Sequence, residues 1–403
     1  MIAPIFAVSC LNREVGDNLS SGYVKEVLSD TLNGDFLKIK TASAAGVDGT
    51  ITILGSAEEV FSTAEAFLSA DDFNNIDGRT KPDGLPDFAG ETLSVITDFA
   101  NSPYGGYSAF SNESFISESA ARIFVSATDT VCALNRYDRN AVASKKPVKV
   151  MVLSSPYLSA YGYSDIQVLN CAAGEKIKVV SPIHSIVEYS AAKYTSVSNV
   201  AIWTTGDIEE SGVYRKALSE IGGDAVNCVV VSDDSSAELS ERVMSVLERC
   251  DSLGGKGKLS AVFVDDISLD VTALNALLKD MLDLDNEDAA LLSDYLAPGF
   301  EFVDKNKALV DACVRYLRKS NKFTHKVAYP NAQFYSTAPV ADTPVAYLDD
   351  YGQFKPEYMY NRAPDQGEET FVLVEMTGRH ISDSLAVKLK KRAPKTFEFY
   401  VSK

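Results

Sequence analysis

From about residue 120 onward, short continuous apolar runs rich in β-branched residues alternate with longer stretches whose apolar positions recur at helical spacing. The runs are Arg122–Ala127, Val148–Ser155, Lys176–Pro182, Asn199–Thr205, Cys228–Ser232, Leu259–Asp266 and Phe300–Asp304. Such runs predict strands buried on both faces. Between them, Val213, Tyr214, Ala217, Leu218 and Ile221 keep one helical stripe. Ser235 and Glu238 have the spacing of a capping box ahead of Val243, Met244, Val246 and Leu247. Strands alternating with helices at this spacing predict parallel sheets with crossover helices, whose ligands bind beyond the carboxyl ends of the strands.

The flanks carry a weaker pattern. Ile51–Ser56 followed by a helical stretch reads as one strand–helix unit inside an N-terminal extension, residues 1–70. Residues 326–403, rich in Tyr, Phe and Pro, contain two strand candidates, TFVLVEMT and TFEFYVS, and are expected to form a small, partly β appendage. The Gly-, Pro- and Asp-dense stretch around residues 74–91 reads as a structured loop in which Asp77, Arg79, Asp83 and Asp87 either hold one another or meet a ligand.

A chain of 403 residues, 46% of them apolar, exceeds what one core usually supports. Residues 71–175 with 290–325 are expected to form one α/β domain and residues 176–289 a second. A formal charge of −18 without a basic cluster argues against nucleic acid or an anionic membrane as partner and leaves a small molecule or a protein. A homodimer remains open. Six scattered cysteines, without a C-x-x-C, read as reduced core thiols. His184, His325 and His380 are too far apart in sequence to suggest a metal centre, and no metal or cofactor is expected. No apolar run reaches the roughly 20 residues of a spanning helix. Taken from Met1 the chain reads as cytoplasmic; a longer native start would instead make Cys10 the lipidation site of an anchored lipoprotein.

Four segments resemble the aspartate/glutamate racemase superfamily. Asp87–Ile96 (DFAGETLSVI) is similar to its first catalytic loop, Asp-Ser-Gly-x-Gly-Gly-Leu before a helix. Val125–Ala133 (VSATDTVCA) is similar to the strand ending in Cys-Asn-Thr, and Thr204–Leu218 (TTGDIEESGVYRKAL) to the Thr-x-x-Thr-x-x-Ser-Gly-x-Tyr run. Ala261–Leu278 with Phe300–Leu317 takes the place of the second Cys-Thr-His strand and the closing strand and helix. The resemblance covers about residues 85–320. It implies two pseudo-symmetric α/β domains facing a cleft and cofactor-independent inversion by two opposed acid/base groups. The stretch around residues 148–175 has no counterpart in that pattern.

Carried over residue by residue, the resemblance puts Thr128 and Asp265 where the family has its two cysteines. It puts Asp129 and Thr130 in place of the asparagine and threonine, Asp266 in place of the second threonine and Ile267 in place of the histidine. Asp87, Thr205, Ser211 and Gly212 complete the implied ligand-binding set. Thr128 is a poor base unaided, whereas Asp265 could serve if burial and Asp266 raised its pKa. Asp129, Asp265 and Asp266 together would repel a dicarboxylate. The competing reading is structural: acidic residues at strand ends cap the next helix, threonines bond the local backbone, and Ser211–Gly212 marks a helix start, with an anion site at that helix N-terminus as the functional alternative.

Three functions follow. The first is a racemase-fold protein without the two-cysteine chemistry that binds a small polar ligand or a protein. The second is an active isomerase or lyase using Asp265 and Thr128. The third is a two-lobed solute-binding protein.

Overall fold

A computed structural model describes residues 21–42, 46–75, 77–138, 140–174, 177–194, 198–221, 226–254, 257–326, 328–364, 370–376 and 381–402. Cys10 and His380 lie outside these. Twelve strands are present among the described residues: β1 (Thr50–Gly55), β2 (Thr92–Thr97), β3 (Val131–Ala133), β4 (Val142–Ser144), β5 (Val148–Leu153), β6 (Lys178–Val180), β7 (Ser198–Thr204), β8 (Val226–Val231), β9 (Leu259–Asp265), β10 (Leu296–Asp304), β11 (Asn331–Pro339) and β12 (Phe371–Glu375). They form an eight-stranded sheet, ordered β4-β3-β12-β11-β2-β1-β5-β6, and a four-stranded sheet, ordered β10-β9-β7-β8. The smaller sheet is wholly parallel. In the larger one β11, β2, β1, β5 and β6 run parallel, while β12 and the β3–β4 hairpin bring antiparallel pairs. The expected α/β architecture of two sheets is therefore present.

The ends of the chain are not peripheral. β1, expected within an extension, pairs with both β2 and β5 at the middle of the large sheet. β11 and β12, expected within an appendage, complete the same sheet. β6 belongs to the large sheet and β10 to the small one, so the expected boundaries at residues 176 and 290 fall inside the wrong sheets. The stretch around 148–175, without counterpart in the family pattern, supplies the interior strand β5.

Three local assignments change type. Arg122–Ala127 is the end of a helix, Ser114–Thr128, because Phe115, Ile116, Ala120, Ile123, Phe124 and Ala127 recur at helical spacing and are all buried. Asp87–Ile96 is a turn leading into β2, not a loop leading into a helix. TFEFYVS lies in a helix, Pro394–Val401, with proline at its start and Tyr400 packed on Phe61 and Phe334.

One apolar core lies on one face of the large sheet with helices Ser114–Thr128 and Tyr163–Ala172, and continues past helices Pro182–Lys193 and Val213–Ile221 onto the small sheet through Val200, Ile202, Ala261 and Phe263. A second lies on the opposite face of the large sheet, under helices Ala57–Ser69 and Lys305–Lys319. The third closes the outer face of the small sheet. At the amino ends of the strands a buried ion pair, Lys149 to Glu91 at 2.7 Å, holds β5 against the turn before β2.

Candidate functional site

Strands β5, β1, β2 and β11 end together, and on the face covered by helices Ala57–Ser69 and Lys305–Lys319 each replaces the apolar residue of its alternation with a small or polar one. The register places Gly55 beside Thr97 and Thr97 beside Ser336. Ser154 follows β5 directly and donates its hydroxyl to Leu54 O at 2.9 Å. Gly55 is required there: a Cβ would stand 2.1 Å from Ser154 Oγ and 3.1 Å from Glu59 Oε2. Glu59 comes from the helix that follows β1 and accepts from the Ser56 amide at 3.0 Å and its hydroxyl at 2.8 Å, the reciprocal cap of that helix start.

Asp265 is the last residue of β9, and Lys305 is the first of the helix after β10. The Lys305 ammonium pairs with Asp265 Oδ1 and reaches Ser154 O at 3.3 Å, bridging the carboxyl ends of the two sheets. Tyr214 donates its hydroxyl to Asp265 Oδ2. The Lys305 and Asp265 side chains are only 3% and 4% exposed, so the pair is shielded from solvent. Burial by itself lowers the Lys305 pKa, but the carboxylates of Asp265, Glu59 and Asp304 outweigh it and hold the pKa above its ordinary value. Burial, reinforced by the Asp265 carboxylate, pushes the Tyr214 phenol well up. Asp304 caps the Lys305 helix by accepting from the Asn306 amide at 2.8 Å, and burial raises its pKa.

Beside this cluster, Asp98 follows β2 on the opposite face. It accepts from Asn101 Nδ2 (2.6 Å), Thr337 Oγ1 (2.7 Å) and Tyr104 OH (2.9 Å), and burial raises its pKa. Arg362 enters from the C-terminal segment. It donates to Ala100 O and Asn101 Oδ1 at 2.8 Å each and lies between the rings of Phe115 and Phe354.

Only Asp265, among the residues expected to react, sits at these strand ends. Thr128 ends a helix, is buried and donates its hydroxyl to Val125 O at 2.6 Å. Its neighbour Thr130 accepts from Lys145 N (2.7 Å), whose next residues touch the first residues of β2 and β1: Lys146 bonds Thr92 at 3.1 Å and Pro147 O accepts from Thr50 N at 2.9 Å. Thr128 thus lies toward the amino ends, about one strand length, roughly 17–20 Å, from the carboxyl ends. The strand that ends opposite Asp265 is β5, and the residue there is Ser154.

The other candidates disperse in the same way. Asp129 accepts from the Thr130 amide and lies 3.9 Å from Lys38. Asp87 accepts from the Asp72 and Phe73 amides at 2.9 and 3.1 Å and fastens the loop at the amino end of β2; burial raises its pKa. Asp266 turns from Asp265 toward Arg242 Nη2 (3.6 Å) and accepts from Ser268 N at 2.8 Å. Thr205 precedes a short helix, Gly206–Ser211, and Gly212 at φ +68° ends it. Ser211 therefore closes a helix, and its hydroxyl is bonded to Ile208 O at 2.7 Å. The expected crowd of three carboxylates does not form, because Asp129 lies toward the amino ends of the strands, while Asp265 and Asp266 face separate cations.

Lys305 and Ser154 were not singled out by sequence reasoning, and Tyr214 entered it only as part of a helical stripe and of the Ser-Gly-x-Tyr run, not as a site residue. The available signal was a lysine directly after an aspartate at the end of an apolar strand, where a buried cation demands a carboxylate nearby. Among the described residues no group of three or more His, Cys, Asp or Glu is placed to hold a metal ion, and no helix is long and apolar enough to cross a membrane.

No family model and no curated protein matches this chain. Its similarity is to solved structures of aspartate/glutamate racemases. Glutamate racemase RacE1 from Bacillus anthracis is 14% identical over 72% of this chain and 88% of its own, with a TM-score of 0.39. The glutamate racemase of Francisella tularensis, in complex with D-glutamate, is 13% identical over 80% and 97%, with a TM-score of 0.40. An aspartate racemase homologue from Pyrococcus horikoshii is 12% identical over 67% and 99%, with a TM-score of 0.34.

Proposed function

We propose that this chain is a catalytically silent, racemase-like protein that acts by binding, with the junction between its two sheets held shut by its own ion pair. The observation that carries this reading is Lys305. Its ammonium joins Asp265 to the end of β5 in a space where proton-abstraction chemistry would need an open pocket between two bases. Both Asp265 oxygens are committed, one to Lys305 and one to Tyr214. The ammonium stays charged because its pKa is raised. Ser154, at the opposing strand end, spends its hydroxyl on Leu54 O, and the carboxylate beside it, Glu59, is engaged in capping its own helix. Neither Asp265 nor Ser154 is thereby free to act as base or nucleophile at neutral pH.

The test is α-proton exchange. The purified chain is incubated in D2O with each enantiomer of glutamate, aspartate and a panel of other amino acids, and the α-proton signal is followed by NMR. The expected result is no exchange above the buffer control. Catalysed loss of the α-proton from any of them would overturn the proposal and favour the isomerase reading with Asp265 as base.

A further inference from the structure

Strands β11 and β12 pair at their adjoining ends, where Pro339 faces Phe371 and the Val340 amide donates to Thr370 O at 3.1 Å. The connection between them therefore leaves the sheet and returns to it at one point. Among its described residues it holds nothing more regular than single helical turns at Val345–Tyr347 and Pro356–Met359. Its rings pack on one another, Tyr347 stacked on Tyr358 at 4.1 Å and Phe354 against Tyr358 at 5.3 Å. Arg136 holds its middle by a bond to Gly352 O (2.8 Å). Further bonds to the body of the molecule gather at Tyr360 and Arg362. The Tyr360 hydroxyl donates to Pro103 O at 3.1 Å, and Asn112 Nδ2 donates to the carbonyls of both residues at 2.8 Å.

Arg362 is buried in a socket whose acceptors come from the body, not from the connection. Its Nη2 donates to Ala100 O and Asn101 Oδ1 at 2.8 Å each and to the Tyr107 hydroxyl at 3.0 Å, and its guanidinium carbon stands 4.4 Å from the centre of the Phe115 ring. Asn101 is aimed by Asp98, which accepts from its Nδ2 at 2.6 Å and is itself held by Tyr104 and Thr337. Asp98, Asn101 and Tyr107 are all fully buried. With the arginine withdrawn, three acceptors would converge on one point in front of a buried carboxylate, an arrangement that is costly unless a cation meets it. The flat face of Phe115 suits a planar guanidinium better than a compact ammonium. A crevice lined by Phe115, Glu118, Thr370 and Phe371 opens alongside. The socket also lies just beyond the carboxyl end of β2, where open α/β sheets take their ligands.

We infer that the β11–β12 connection is a tethered occupant: its Arg362 fills a guanidinium-binding socket of the α/β body, and an external guanidinium, free or on an arginine of a partner peptide, competes with it and lifts the connection away. Lifting breaks no strand pairing, because the two ends of the connection are already joined at Pro339 and Phe371. The inference goes beyond the silent junction and does not depend on it, since Asp98 and Lys305 lie on opposite faces of the large sheet.

Arg362→Ala in the full chain vacates the socket. Ethylguanidine should then raise the melting temperature of the variant in a saturable way, whereas butylamine, which brings an ammonium instead, should do much less. A variant that folds only when ethylguanidine is added is the same positive result. Adding Tyr107→Phe removes one acceptor and should weaken ethylguanidine binding about tenfold, the effect of one hydrogen bond to a charged group. Competition is read on the parent chain and so does not depend on whether the variant folds. Millimolar agmatine, or the blocked peptide acetyl-Gly-Arg-Gly-amide, should speed hydrogen exchange at the amides of residues 345–362. A stronger response to agmatine assigns the socket to a free small molecule, and a stronger response to the peptide assigns it to an arginine of a partner protein. Exchange unchanged by either compound would overturn the inference and leave Arg362 a structural anchor. So would equal effects of butylamine and ethylguanidine on the variant.

Discussion

Lys305 is the residue whose removal should be felt most. Breaking a buried pair leaves the surviving charge uncompensated, at a cost of about 3–5 kcal/mol. Lys305→Met should therefore lower the urea midpoint strongly at pH 7. Adding Asp265→Leu should recover most of the loss, because two apolar groups of similar size replace the pair. The ammonium also sets a pH dependence. Its folded-state pKa lies above the ordinary lysine value of 10.5, so its contribution is complete below that value and is lost as pH rises through the folded pKa. Urea midpoints should fall more steeply above pH 10.5 for the parent chain than for the Lys305→Met, Asp265→Leu double variant; equal slopes would refute this role. Lys305 escaped notice in the sequence because a lysine at a helix start is ordinary on a surface, and only the second sheet buries it.

At the scale of elements, four strand ends meet in a space that one side chain has been removed to make. Gly55→Ala would push its Cβ to 2.1 Å from Ser154 Oγ. Overpacking of this kind typically costs about 1–3 kcal/mol. The double variant Gly55→Ala, Ser154→Ala should regain much of the loss in thermal melts, whereas strictly additive losses would show that the clash is not with Ser154. The strands β5 to β9 were legible from their unbroken apolar runs, since a strand covered on both faces needs no polar alternation. The helix Ser114–Thr128 was misread because a six-residue apolar window fits either period. That single error carried Thr128 to the wrong end of the sheet, since the residue after a strand and the residue after a crossover helix lie at opposite ends of it.

For the whole molecule, the sheet is assembled from segments far apart in the chain. β11 adds beside β2 and β12 beside β11, with Tyr335 and Phe371 in the core. Removing everything after residue 325 would strip two strands from the sheet and open both of its faces. The shortened chain should not unfold cooperatively or stay soluble, in contrast to the loss of a true appendage. A sharp melting transition for it would show that the sheet tolerates a new edge at β2.

Local order is what the sequence determined by itself: which runs are buried strands, which stretches are amphipathic helices, and that crossovers of this length build parallel sheets. It also marked Asp265 as a strand-end acid, since that depends only on the run before it. The tertiary structure alone decided which strands share a sheet and which ends face each other. Pairing partners are chosen by register and by the cores on both faces, quantities that no single segment contains. The partner of Asp265 followed from that choice: Lys305 is 40 residues downstream, and only the packing of the helix after β10 against the end of β5 brings its ammonium to the carboxylate.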